Sequence, residues 1–266
     1  MKLAGKTAIV TGAASGIGRA IAISLSRRGC HLALADLNEI GLAETAALAA
    51  APGLRITRHR LDVADKDAIA AFPDIVLTSH QGADLLVNNA GVALGGNFEQ
   101  VSEEDFEWLF AINFWGVVRM TRAFLPLLKD SSEARIVNIS SLFGLIAPPG
   151  QAAYCASKFA VRGFSESLRH ELEGSRIGVT VVHPGGIATN IAKNARIADS
   201  MPAEDRAKME RTFRRLLSIP PEKAGALIVQ AIEHRRPRLL IGATAKLAAL
   251  LERLAPVSYW RLLRMR

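Results

Sequence analysis

The stretch "QAAYCASK", residues 151–158, sets Tyr154 four positions ahead of Lys158. On a helix two side chains so spaced share a face. A free phenol, with a pKa near ~10, is a poor base at neutral pH, and a nearby ammonium can lower that value by on the order of 1–3 units. The pair could therefore move a proton. Taken alone, the same spacing fits better a tyrosine packed on a helix beside a solvated lysine. A second stretch, "TGAASGIG", holds Gly12, Gly16 and Gly18 in a GxxxGxG spacing. Gly12 would permit a tight turn, Gly16 would let the backbone approach a pyrophosphate, and Gly18 would let a helix pack closely on a strand. A helix opening there turns free N–H groups and its positive end toward an anion. Asp36 follows Gly18 by eighteen residues, about where a ribose-binding acid is expected.

Short β-branched runs alternate with longer amphipathic ones along the chain. "KTAIVTG", "HLALAD", "RITRHRLDV", "DLLVNNAG", "RIVNIS", "GVTVVHPG" and "RLLIG" read as strands. Helices are expected to about Gly29, through "EIGLAETAALAA", and near 66–79, 103–129, 152–173 and 221–233. This alternation predicts an α/β fold, a doubly wound parallel sheet with helices on both faces. Neither a repeat nor a linker divides residues 1–266, so one domain is expected. Ligands of such sheets bind beyond the carboxyl ends of the strands. Those ends here are polar or glycine-rich.

Read in order, the motifs "TGAASGIG", "NNAG", "NFWG", Ser141 ahead of "YCASK", and "PGGIAT" resemble those of the short-chain dehydrogenase/reductase family over about residues 5–190. The resemblance implies a Rossmann-type domain and an NAD(P)-dependent oxidoreductase acting on CH–OH groups, assembled as a homo-oligomer through helices near 103–129 and 152–173. It implies that Tyr154 is the proton-transferring base, that Lys158 lowers its pKa and holds the nicotinamide ribose, that Ser141 orients the substrate oxygen, and that Asn113 holds a water linking Lys158 to solvent. By the same resemblance the cofactor lies along Gly12, Ser15, Gly16, Ile17 and Gly18, then Asp36, then Asp62 and Val63 at the adenine edge. Asn89, Ala90 and Gly91 lie beneath it, and Pro184, Gly185, Ile187 and Thr189 border the nicotinamide. Asp36 would accept both ribose hydroxyls of NAD and repel a 2′-phosphate. NAD is therefore expected over NADP, with Arg19 the one nearby base that could argue otherwise. Ser140 is set aside in favour of Ser141.

The two cysteines, Cys30 and Cys155, and the six histidines have no metal-ligand spacing, so no metal site or disulfide framework is expected and a reducing, cytoplasmic setting fits. Polar residues and prolines interrupt the longest uncharged run, Ile136–Ser157, which excludes it as a membrane span. Of the net charge of +8, residues 235–266 carry +7, with eight basic residues against Glu252. A near-neutral body with a basic tail argues against a nucleic-acid-binding surface. Residues 190–218 are expected to form a flap over the substrate, with Met209, Phe213, Leu216 and Leu217 as its apolar stripe. Leu142, Phe143, Leu145 and Ile146 should add apolar groups, which points to a lipophilic secondary alcohol or ketone. The alternatives are a 3-oxoacyl thioester reductase, an NADP-dependent carbonyl reductase, or a nucleotide-sensing protein without turnover. In the tail, about 243–266, Leu247, Leu250, Leu251 and Leu254 form an amphipathic stripe that Pro256 ends. It is expected to pack on protein in preference to an anionic membrane, with both readings open.

Overall fold

The computed structural model describes residues 1–264, without the side chains of residues 208, 210, 212–216 and 264. The side chains of Phe213, Leu216 and Arg264, and the whole of Arg266, thus lie outside the described residues. Strands β1 (Thr7–Thr11), β2 (His31–Asp36) and β3 (Ile56–Arg60) alternate with helices α1 (Gly16–Ser26), α2 (Glu39–Ala49) and α3 (Lys66–Leu77). Next come β4 (Leu85–Asn88), the two-residue β5 (Leu94–Gly95), α4 (Glu103–Phe110) and α5 (Gly116–Asp130), then β6 (Ala134–Ile139) and α6 (Ala152–Glu171). The chain continues through β7 (Ile177–Pro184), β8 (Arg196–Ile197), α7 (Ala203–Leu216), α8 (Pro221–Glu233), β9 (Arg238–Ile241), α9 (Ala243–Leu254) and α10 (Tyr259–Arg264).

Seven strands form one parallel sheet in the order β3-β2-β1-β4-β6-β7-β9. The central strands β1, β4 and β6 are buried on both faces, with Asn88, Arg135 and Asn138 buried among their apolar residues. Their side chains divide by alternation: Ala8 and Val10 of β1 join Ile21, Leu25 and Ile228 on one face. Ile9 joins Phe72, Phe124 and Met120 on the other. The edge strand β3 carries arginines, which discourage further strand addition. Helix starts are fixed locally, with Asn38 accepting from the Gly41 N–H, Asp65 from Asp67 and Ala68, and Ser102 from Asp105. The fold is a single α/β domain, as the alternation predicts.

Two features differ from a plain reading of the sequence. The expected helical stretch 103–129 is interrupted by a π-helical turn, Ala111–Trp115, which contains Asn113. Helix α9 forms where its leucines repeat, yet it buries Ala245 and Ala248, while Leu250 and Leu254 are 53% and 72% exposed. The small residues allow α9 a close approach to the body, which leaves Leu250 and Leu254 outward and Leu247 and Leu251 half-buried.

Candidate functional site

The strand order reverses between β1 and β4, and a cleft of about 440 Å³ opens there beyond their carboxyl ends. Gly12, with φ +64°, leaves β1 so close to the β4 loop that a Cβ on it would lie 2.8 Å from the Ala90 Cα. A Cβ on Gly18 would stand 2.1 Å from the Gly12 carbonyl oxygen. Only glycine fits that crossing of turn and helix. Thr11 Oγ1 accepts from the Asn89 and Ala90 N–H groups, while Asn89 Nδ2 donates to the Thr11 and Gly12 carbonyls, so the two loops lock together. Below them Asn88 Nδ2 donates to Asn138 Oδ1 at 2.8 Å across the β4–β6 pair.

Gly12, Ser15, Gly16 and Ile17 line the cleft at the start of α1, where the first helical N–H groups have no intrahelical acceptor. Ser15 makes no side-chain cap bond, which leaves its hydroxyl available. Asp36 ends β2 with Oδ2 accepting from Ala14 N and Oδ1 from Asn38 N, both at 3.0 Å, so its carboxylate is held in one orientation at the cleft wall. Arg19 turns away into α2, bonded to Thr45 Oγ1 and ion-paired with Glu44 at 2.7 Å. Asp62 and Val63 line the next stretch, where Asp62 also closes its own turn by accepting from Ala64 N. An N–H cradle, a fixed carboxylate and glycines whose Cβ atoms would close the turn fit a dinucleotide well. Asn89, Ala90, Gly91, Pro184, Ile187 and Thr189 complete that wall. Gly18 and Gly185 stand behind it: a Cβ on Gly185 would meet Thr244 Oγ1 at 2.8 Å, so this glycine admits α9 to the end of β7.

Tyr154 and Lys158 lie in the first turns of α6, with Lys158 Nζ 5.7 Å from the centre of the Tyr154 ring. Lys158 is 3% exposed and donates to the Ile139 carbonyl at 3.2 Å. Its burial lowers its pKa to about 8. Desolvation raises the half-buried Tyr154 hydroxyl to about 12, against a lowering hydrogen bond with Ser141 and with a smaller push upward from Cys155. The expected depression by the lysine does not appear in the protein alone: burial is the largest cause, and the Ser141 bond is what opposes it. Ser141, at the end of β6, accepts from Phe143 N at 3.1 Å and faces the cleft beside Tyr154. Ser140 Oγ instead donates to the Lys158 carbonyl at 2.9 Å and ties α6 to the sheet.

Asn113 is fully buried behind the cleft. Its Oδ1 accepts from Val92 N at 2.9 Å and its Nδ2 donates to Val92 O and Ser157 Oγ. The side chain therefore pins the β4 loop to α6. His183 shows a contact that residue spacing does not signal. Buried on β7, it lies with Nδ1 3.0 Å from the Ser141 carbonyl. Cys155 is a buried packing residue whose thiol burial pushes up to about 12. Among the described residues no cluster of three metal-ligating side chains occurs.

The other end of the cleft is apolar. Leu94, Phe143, Ile197, Met209 and Leu217 line it, with Gln151, Asn190 and Asn194 as polar exceptions. Strands β5 and β8 pair in parallel across it, and Arg196 braces them by stacking 3.6 Å over Trp108 and pairing with Asp105 at 2.9 Å. Leu142 and Phe143 reach the cleft as expected, but Leu145 and Ile146 do not. A 3₁₀ turn at Leu142–Gly144 sends both into the interior.

A model of the short chain dehydrogenase family matches residues 6–200. SadH of Mycobacterium tuberculosis, named an oxidoreductase, is 46% identical over 261 residues, covering 97% of this chain and 94% of its own. A short chain dehydrogenase/reductase from Burkholderia phymatum, solved in complex with NAD, superposes with a TM-score of 0.88 at 32% identity, covering 96% of this chain and 95% of its own. An alcohol dehydrogenase from Thermococcus sibiricus, complexed with 5-hydroxy-NADP, gives 0.75 at 25% identity over 89% and 95% of the two chains. The chain belongs to the short-chain dehydrogenase/reductase family, whose members are NAD(P)-dependent oxidoreductases.

Proposed function

We propose that this enzyme prefers NAD and interconverts a lipophilic secondary alcohol and its ketone. The observation that carries the reading is the apolar wall of Leu94, Phe143, Ile197, Met209 and Leu217 around the position faced by Ser141 and Tyr154. Such a wall rewards burial of hydrocarbon and offers a sugar's hydroxyls few partners, Gln151, Asn190 and Asn194 among them. The fixed Asp36 carboxylate supports NAD, since a 2′-phosphate beside it would meet like charge, and Arg19 is already engaged by Glu44.

Bound nicotinamide supplies the hydride acceptor for oxidation and the donor for reduction. Ser141 Oγ orients the substrate oxygen, and Tyr154 Oη takes the hydroxyl proton in oxidation or returns it in reduction. Lys158 supplies a buried positive charge beneath Tyr154, and Asn113 is assigned the water through which Lys158 exchanges protons with solvent. Because Tyr154 remains protonated at neutral pH, reductive rates should be flat there while oxidative rates climb with pH. Exposed Trp115 and Phe159, at 47% and 37%, support self-association through the helical layer that carries them. Two free, buried cysteines support a cytoplasmic setting, and the outward leucines of α9 support peripheral contact with a membrane.

The test is a rate assay with NAD and NADP over secondary alcohols and ketones graded in hydrophobicity, repeated across pH. Higher kcat/KM with NAD and with the more lipophilic substrates is expected. Preference for NADP, or for polyols, would reject the corresponding half of the reading.

A further inference from the structure

The C-terminal tail is the conspicuous feature that the cleft chemistry does not use. Helix α9 is seated on the body by Ala245 and Ala248, leaving Leu250 and Leu254 on successive turns of an exposed face. Val257, in the turn that follows, is 95% exposed, and Leu262 of α10 is 44% exposed. Lys246, Arg253 and Arg261 are exposed along the same segment, whose one acid is Glu252. Helices α9 and α10, of 12 and 6 residues, are too short to cross a bilayer, so an apolar strip on them is suited to lying on a surface.

We propose that this strip docks on an anionic lipid surface, which gives the peripheral contact above a defined partner. An isologous contact between two copies would set these cations against their own images. An anionic headgroup layer neutralises them, while its acyl boundary takes the leucines and Val257. The tail also borders the site. Tyr259 Oη accepts from the Ala147 N–H at 3.0 Å, within the loop joining Ser141 to Tyr154, and Thr244 at the start of α9 lines the cleft. Docking through this strip sets the substrate loop beside the lipid from which a lipophilic substrate would come.

Co-sedimentation of the full-length enzyme with phosphatidylglycerol and with phosphatidylcholine vesicles tests the proposal without turnover, so its outcome is independent of the substrate assignment. Binding to the anionic vesicles, weakened by salt, is expected, with little binding to the zwitterionic ones. Each basic side chain near such a surface is worth about fivefold in affinity, so Arg253→Ala with Arg261→Ala should weaken binding roughly 25-fold. Leu254→Glu with Val257→Glu alters groups already in water and should abolish binding while kcat on a water-soluble substrate stays unchanged. Equal binding to both vesicle types, or none at low salt, overturns the proposal. Sedimentation velocity supplies the remaining decision: a Leu254→Glu/Val257→Glu enzyme that loses its oligomeric state would assign the strip to a second copy.

Discussion

The two ends of the cleft are built from different materials. At the nucleotide end the work falls to backbone: glycines at a crossing with no space for a Cβ, helix N–H groups, and a carboxylate held by two peptide N–H groups. At the substrate end it falls to side chains from β5, β8, α7 and the loop after β6, which touch only because the chain has folded. A backbone cradle tolerates few residues and recognises a constant ligand. A wall of side chains tolerates many and sets what the enzyme turns over. Ser141, Tyr154 and Lys158 lie where the two meet.

The sharpest way to break that division is at the meeting point. Tyr154→Phe removes the oxygen proposed to carry the proton and keeps the ring against Phe143, 6.1 Å away between centroids. Turnover should fall by about 10²–10⁴, while calorimetric NAD affinity stays near that of the wild type. A variant retaining more than roughly a tenth of the wild-type rate would remove Tyr154 from its assigned role.

At the nucleotide end, Asp36→Asn isolates charge from geometry, since an amide oxygen can still accept from Ala14 N. The ratio of kcat/KM for NAD over NADP should drop roughly tenfold, corresponding to about 1.4 kcal/mol of lost repulsion, with little change among substrates. A change in alcohol preference instead would mean that the two ends are coupled and that the division is too simple.

The same contrast explains what could be read from the sequence. Short β-branched strands, the longer amphipathic runs between them and the glycine turn are local patterns. They were legible because residues close in sequence determine them. Strands β5 and β8, two residues each, carry no periodicity, and Ala111–Trp115 has the composition of ordinary helix although it forms a π turn. Leu145 and Ile146 follow Ser141 as Leu142 and Phe143 do, yet the Leu142–Gly144 turn separates the pairs. In α9 the leucine period marks two faces without telling which is covered. Close approach through alanine decided that.

The smallest expected effect probes how tertiary structure supports the meeting point. The β6–β7 ladder carries on through Ser140 N donating to Val182 O, but the Ser141 carbonyl receives a side chain, the His183 ring, together with Gly144 N at 3.0 Å. A carbonyl only accepts, so Nδ1 must carry the proton and Nε2 the lone pair. Nε2 is buried with no hydrogen-bond partner, and burial is the main reason the ring's pKa falls to about 4, with Arg238 and Arg162 lowering it and the Ser141 bond and Glu166 raising it. The ring therefore stays neutral and keeps its donor through the working pH range. His183→Val removes the donor while Gly144 still serves the carbonyl, so the loss should be that of one hydrogen bond, about fivefold in kcat, with NAD affinity unchanged. His183→Asn can donate from nearly the same place and should restore most of the rate. Equal impairment of the two variants would mean that His183 only fills space, whereas a valine variant as fast as the wild type would mean that Ser141 needs no such hold.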